Sequence, residues 1–378
     1  MAPTEPTDPA PSRHEEVATS VSKPVNRRGY LLIAGALVVV AIAAVVFAAH
    51  TNPSSLQPAV DTSHLPVGPA APAVDPVGWT NSPPLTPADL KGKVVLYDFW
   101  TYSCINCVRT LPYVRAWYAR YQADGLVVVG IHSPEFDFEK NHANVTRAVG
   151  NLGVTWPVAF DDNMAVWNAF QNNSWPADYI ADRSGHVRYK HIGEGDYGQT
   201  EDVIRTLLGV ATTAPRAAAP GSAATAAQPT TGDMTPETYL GVLRGASAKQ
   251  GPATYPEPAT VPVDAARLAG PWTGTADYIE AGAANSAIVL HYQARQVNLV
   301  MAPAASGPVT VVVQLDGMPV PPAYRTVQTV VDAGGRTTVT VANADLYALV
   351  QGPGVEGHTL RVTAGAPGLL AYDFTFGG

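Results

Sequence analysis

The sequence predicts an α/β layer domain followed by an all-β antiparallel sandwich, with one membrane-spanning helix ahead of both. Three observations carry that reading. Residues 30–49 are twenty positions without a charge. Between residues 86 and 210, apolar strand-like runs alternate with helix-like segments. From about 234 to 378, stretches of period two follow one another, separated by turn residues such as Asp316-Gly317 and Gly334-Gly335.

Each part follows in chain order. Residues 1–29 are rich in Pro, Ser, Thr and charge, and end in Arg27-Arg28; they read as a cytoplasmic segment. Residues 30–49 have the length a helix needs to cross about 30 Å of hydrocarbon. Lys23, Arg27 and Arg28 precede this stretch, and no Lys or Arg follows until Lys91. That bias keeps the N-terminus inside and exports the rest. A cleaved signal peptide, the competing reading, exports it too. Residues 50–85 carry eight prolines and read as an extended linker. Within 86–210, strands are expected at 94–100, 126–132, 154–160 and 178–181, and helices at 105–122, 136–149, 163–171 and 200–208. Residues 211–233 form an Ala/Pro/Thr linker. In 234–378 the strands are expected at 287–294, 297–301, 309–315, 337–341, 346–350, 358–362 and 370–376.

Composition closes off several classes. Hydrophobic residues make up 46% of the 378, enough for packed cores and too many for a disordered chain. The 23 Lys and Arg against 31 Asp and Glu give a net charge of −8, which argues against nucleic acid as a partner. Two cysteines cannot build a disulfide scaffold or a four-cysteine zinc site, and no metal is expected.

The two cysteines sit where a hydrophobic strand runs straight into a helix, as Cys104-Ile105-Asn106-Cys107. At a helix N-terminus, free N–H groups and the helix dipole stabilise a Cys104 thiolate. Cys107, one turn on, is placed to attack a mixed disulfide formed by Cys104. Half a zinc site and a structural staple are the alternatives. A haem attachment site needs His after Cys107, where Val108 stands.

The segment Trp100-Thr101-Tyr102-Ser103-Cys104-Ile105-Asn106-Cys107 and the lead-in Leu90-Lys91-Gly92-Lys93-Val94-Val95 resemble the TlpA-like extracytoplasmic group of thioredoxin-fold proteins. The resemblance is nearest to the periplasmic part of DipZ-type proteins. It covers 86–210 through its redox motifs. More loosely it reaches a galactose-binding-like or jelly-roll, carbohydrate-module-like domain closing on Phe374-Thr375-Phe376-Gly377. It implies a thioredoxin fold whose working group is the Cys104–Cys107 disulfide, with no other cofactor. It implies protein thiols and disulfides of the envelope as substrates and a CcdA-like membrane carrier as electron donor. Asp98, six residues before Cys104, matches the buried carboxylate of thioredoxins. Pro112 matches the kink of their active-site helix, and Trp100 the strand-end tryptophan.

Ser174-Trp175-Pro176 fits the loop with the family's cis-proline. Trp175 then offers its backbone to a substrate segment, with Ile105 and Asn106 beside it. Trp175 replaces the Thr or Val more usual there. Glu135 is the acidic residue that some of these proteins bring toward the dithiol, and His132 is a weaker candidate. Arg109 and Arg115 are expected on the solvated helix face, Arg109 with the option of favouring the Cys104 thiolate. Trp272, Tyr278, Tyr292, Tyr324 and Tyr347 offer a sugar platform or fill a core.

Two further readings stay open. Thr101, three residues before Cys104, suits a thiol peroxidase, but the proline of that motif is Tyr97 here. A cell-surface module binding glycan or protein, with an accessory redoxin, is the reading from a different class.

Overall fold

The computed structural model describes residues 64–211, 213–218, 234–305 and 307–378. The expected cytoplasmic segment, the expected membrane helix at 30–49 and most of the linker at 211–233 lie outside them. Among the described residues no helix is long and apolar enough to cross a membrane.

The first domain is a six-stranded sheet covered on both faces. Its strands are β1 (Gly78–Thr80), β2 (Val94–Trp100), β3 (Leu126–His132), β4 (Val158–Phe160), β5 (Ala177–Ala181) and β6 (Val187–Ile192), in the order β1-β4-β3-β2-β5-β6. β2, β3 and β4 run parallel, while β5, β6 and β1 are antiparallel to their neighbours. All seven residues of β2 are buried, as a central strand with cover on both faces requires. Leu96 and Trp100 face a core shared with helices Ile105–Tyr121 and Tyr197–Leu208. Val95, Tyr97 and Phe99 face the opposite core, with Val166, Trp167 and Phe170. At Gly125 the chain takes φ 105 as it leaves the first helix for β3, a conformation glycine adopts without strain.

Three local expectations change. The predicted helix at 136–149 is a 3₁₀ turn, Asp137–Lys140, followed by helix His142–Asn151. Asn141 separates the two, its Oδ1 accepting from Ala143 N at 3.0 Å as an N-cap. The predicted strand at 154–160 shortens to β4, because the Val154 and Trp156 carbonyls accept from the Asn81 amide instead of a neighbouring strand. Residues 64–85, expected as a free linker, already lie on the domain. Gly68 N donates to Val187 O at 2.8 Å, Arg188 Nε to Pro66 O at 2.8 Å, and β1 extends the sheet.

The C-terminal domain is all-β, and its named strands pair antiparallel throughout. The strands expected at 287–294 and 297–301 are one strand, Ala287–Pro303, and those at 346–350 and 358–362 are another, Asp345–Ala364. Ala287–Pro303 pairs with Ala265–Gly274 through its first half and with Leu369–Gly377 through its second. A register shift between Ala294 and Gln296 lies between the halves. A bulge of this kind bends a long strand, so hydrogen bonding is continuous where two separate sheets were expected. The five aromatics do not form an exposed platform. Trp272, Tyr292 and Tyr347 are core residues, Tyr324 packs against that core, and Tyr278 lies 5.2 Å from the ring of Tyr372.

The two domains belong to one compact unit. Phe136 and Phe138 hold the Tyr372 ring at 5.0 and 4.8 Å, and Phe136 shares a buried cluster with Val300 and Ala302. Tyr102 Oη donates to Ala344 O at 3.2 Å. Truncating a buried aromatic of this kind costs about 3–5 kcal/mol. Phe136→Ala is therefore expected to lower unfolding free energy by that amount in a denaturant titration; a loss below ~1 kcal/mol would mean the two domains do not support each other through this cluster.

Candidate active site

β2 ends at Trp100, and Thr101 to Ser103 lead into Cys104, the N-cap of helix Ile105–Tyr121. Cys104 is extended at φ −79, ψ 112, and its Sγ accepts from Cys107 N at 3.2 Å. The outer sulfur thus lies at the N-terminal end of the helix, against one of its free N–H groups. Both cysteines are free thiols; Cys104 is half-buried and Cys107 fully buried. Burial pushes the Cys107 thiol well up, and its hydrogen bond to Cys104 reinforces this. The pair is therefore asymmetric, with an accessible nucleophile outside and a protonated thiol inside. Pro112 lies within the helix, as expected.

Asp98 lies beneath the pair. It is 1% exposed, and neither carboxylate oxygen has a hydrogen-bond partner among the described residues. Burial raises its pKa well above the carboxylate range, and the charge of Asp178 adds to that. Asp98 in turn is one of the charges that hold Cys107 protonated. Asp178 stands directly opposite Asp98 in the β2–β5 register and is itself raised to about 7 by burial. Sequence reasoning misses it because it is an acid in a short apolar strand, and only the register puts it against Asp98.

The acid that reaches the Cys104 loop is Glu139. Its Oε1 accepts from Ser103 Oγ at 2.6 Å and from Thr101 Oγ1, and its Oε2 accepts from Glu135 N at 2.7 Å and Phe136 N at 3.0 Å. Glu135 does something else. Its carboxylate accepts from Arg244 Nη1 at 2.5 Å and Tyr239 Oη at 2.9 Å, both in the C-terminal domain. Burial, helped by Glu237 and Glu139, raises it to about 7 against the pull of Arg244. The backbone turns between 135 and 139, so the first acid points to the domain contact and the second to the dithiol loop. Spacing alone does not tell these two glutamates apart.

The remaining candidates divide. The Trp175–Pro176 bond is cis. Trp175 Nε1 donates to Ser133 O at 3.0 Å, and its ring lies 4.2 Å from Trp167. Trp175 and Cys104 both pack at the margin of the core that contains Cys107. Among the described residues the Trp175 backbone N–H and C=O carry no hydrogen bond. Asn106 is exposed, whereas Ile105 is buried and does not present a surface to a substrate. His132 is buried against Trp100 and Tyr102 and held neutral, its pKa lowered to about 3 by burial. Thr101 gives its hydroxyl proton to Glu139 and is not turned to a peroxide at Cys104. Arg109 reaches Glu194 Oε2 at 2.7 Å and also Asn106, and Arg115 donates to Gly153 O at 3.0 Å; both are half-buried on the helix face. No group of three or more His, Cys, Asp or Glu among the described residues is arranged to hold a metal ion.

Two outcomes are expected. Glu139→Ala leaves two buried hydroxyls and two N–H groups without their acceptor, so thermal or denaturant unfolding should register a loss of at least about 3 kcal/mol. The second concerns pH. Because folding raises the pKa of Asp98 and Asp178, the folded state holds protons that the unfolded chain releases. Stability therefore falls as pH rises from about 4, where an unfolded carboxylate titrates, through the Asp178 value of about 7. Asp178→Asn should flatten that fall and raise the unfolding midpoint at pH 8 relative to the unmodified protein; an unchanged pH slope would contradict it.

Comparison with known proteins agrees with this geometry. The family model Redoxin matches residues 66–208, and one described as a thioredoxin-like C-terminal domain matches residues 235–377. The DipZ proteins of Mycobacterium bovis and Mycobacterium tuberculosis are each 37% identical over 309 residues, covering 79% of this chain and 41% of theirs. The chain thus spans less than half the length of those relatives. YkuV, a thiol-disulfide oxidoreductase of Bacillus subtilis, is 27% identical over 130 residues, 34% of this chain and 87% of its own. Residues 66–208 thus match the redoxin family model and residues 235–377 the thioredoxin-like C-terminal domain model, and the chain is similar to the DipZ proteins across both domains and to a thiol-disulfide oxidoreductase in the first.

Proposed function

We propose that the chain is a membrane-anchored thiol–disulfide oxidoreductase that works outside the cytoplasm as a reductase of protein disulfides. The observation that carries the reading is the asymmetry of the dithiol. Cys104 Sγ sits half-exposed on a helix N-terminus, and Cys107 is buried one turn behind it. The uncharged stretch at 30–49, with basic residues before it, supports anchoring and export.

The chemistry follows from that order. The Cys104 thiolate attacks one sulfur of a substrate disulfide, and the other substrate sulfur leaves as a thiolate. Cys107 then gives its proton to the Asp98 carboxylate and attacks Cys104 Sγ. The mixed disulfide breaks, the second substrate sulfur leaves, and the Cys104–Cys107 disulfide remains. Two electrons have passed to the substrate. The unpaired Trp175 backbone beside the dithiol offers strand-like hydrogen bonds to an extended substrate segment. A CcdA-like membrane carrier is the proposed donor that returns the two electrons. In this reading the C-terminal domain supports the redox domain from behind, through Glu135, Phe136 and Tyr102.

Insulin reduction is the direct test. Cys104→Ser should lower turnover by two orders of magnitude or more, and Cys107→Ser should accumulate a mixed disulfide through Cys104. A reductant should also poise near about −270 mV, against about −120 mV for an oxidant. Wild-type turnover in Cys104→Ser would sink the reading.

A further inference from the structure

One row of side chains on the sheet face beneath the dithiol is larger than the reaction above requires. Asp98 on β2 stands opposite Asp178 on β5, and Asp178 stands opposite His191 on β6. Residues paired in this way lie on one face of a sheet. The face is the one turned to the active-site helix, since Leu96 and Ile180, two residues from Asp98 and Asp178, pack in the Cys107 core and Tyr189 packs against it. The row therefore starts under Cys107 and crosses two strand boundaries to the sheet edge, which β6 forms.

Exposure grades along it. Asp98 is 1% exposed and Asp178 is 9% exposed, while His191 is only half-buried. Yet the Nε2 atom of His191 is buried and has no hydrogen-bond partner among the described residues, like both oxygens of Asp98. Buried polar atoms without partners are uncommon and call for an explanation. Here a carboxylate pair and an imidazole nitrogen stand in line on one sheet face, buried at the Asp98 end and reaching solvent at Asp178 and His191. Two indole N–H groups, Trp100 Nε1 and Trp156 Nε1, are also buried without a partner beside Gly130, but neither titrates. On its far side Asp98 faces Gly130, which has no side chain. Helix Ile105–Tyr121 contributes Cys107 as the titratable group near Asp98. Helix Tyr197–Leu208 turns Val203 and Ile204 to this core, and its Glu201 is held by Tyr121 Oη at 2.6 Å.

We propose that Asp178 and His191 complete a proton relay with Asp98, carrying the Cys107 proton from the buried dithiol to the sheet edge while the mixed disulfide is resolved. The proposal rests on the oxidoreductase reading. As Cys107 attacks Cys104 Sγ, its proton passes to the Asp98 carboxylate. No direct hydrogen bond joins the three groups, so one water across each gap carries the proton from Asp98 to Asp178 and from Asp178 to His191 Nε2, and the other ring nitrogen releases one to bulk solvent. The leaving substrate thiolate takes its proton from solvent, so the count closes. The relay runs backwards when the Cys104–Cys107 disulfide is reduced. Asp178 and His191 act through Asp98 and are positioning residues; of the three, only Asp98 bears electrostatically on the Cys107 thiol.

Rapid-mixing kinetics with a small aromatic disulfide separate the steps, because attack by Cys104 and resolution by Cys107 each release one coloured thiol. In Asp178→Asn and His191→Gln the first release should stay within twofold of the unmodified protein. The second should slow by roughly tenfold or more at pH 7, the low side of what positioned acid–base groups supply. Asp178→Asn should also move the acid limb of the second step to lower pH, because Asp98 loses a like-charged neighbour. Asp178→Glu should restore most of the rate. His191→Gln, on the edge strand, keeps the test open if Asp178→Asn fails to fold. Second-step rates and pH limbs unchanged in both variants would overturn the relay. Loss of the first release in the unmodified protein would instead overturn the oxidoreductase reading itself.

Discussion

The buried carboxylate of Glu139 is the point on which the rest of the arrangement depends. It accepts from two side chains that lead into Cys104 and from two backbone N–H groups at the start of the 3₁₀ turn. A carboxylate saturated in this way tolerates burial that an unpaired one would not. It fixes the loop that sets the Cys104 N-cap, and it fixes the turn that carries Glu135 and Phe136 to the second domain. The redox geometry and the domain contact are thereby tied to one side chain. The contact is both apolar and charged: Phe136 packs on Tyr372, while Arg244 lies 3.8 Å over the Tyr239 ring and pairs with Glu135.

The opposite situation holds at Asp98. There a carboxyl is buried without hydrogen bonds, facing a second carboxyl across the sheet. Such a pair weakens the fold at neutral pH, since desolvation penalises the charged form. In the proposed mechanism this arrangement serves proton transfer, because a carboxyl of raised pKa is a stronger base toward a buried thiol when it ionises. Stability and reactivity are thus divided between two buried acids. Glu139 holds the site together, and Asp98 is the acid the proposed mechanism uses.

What the sequence discloses and what it conceals divides along locality. The strand–Cys–x–x–Cys–helix junction, Pro112 and the Trp175–Pro176 loop are written in consecutive residues, so their placement is legible from the chain alone. β2 and β3 are legible because their runs are continuous and apolar. Asp178 and His191 become meaningful only when antiparallel register sets them in line with Asp98, far along the chain from it. Glu139 is hidden by Glu135, the more conspicuous acid next to a proline; a 3₁₀ turn decides which of them enters the core. In the second domain, alternation reveals strands but not their fusion across a bulge. The aromatic residues that suggest a surface platform are the large side chains a core of that size needs. The expected membrane segment at 30–49 lies outside the described residues.

The unequal depth of the two sulfurs has a practical corollary for anyone wishing to read the protein's state. A thiol-reactive mass tag applied to the folded, reduced chain meets one accessible sulfur, Cys104, while Cys107 is shielded. Applied after denaturation it meets both, and on the oxidised chain it meets neither. With only two cysteines in 378 residues, none elsewhere blurs the count. A shift of zero, one or two tags therefore separates oxidised, reduced-and-folded and reduced-and-unfolded populations in a single sample. The molecule carries its own redox and folding gauge in the spacing of one helical turn.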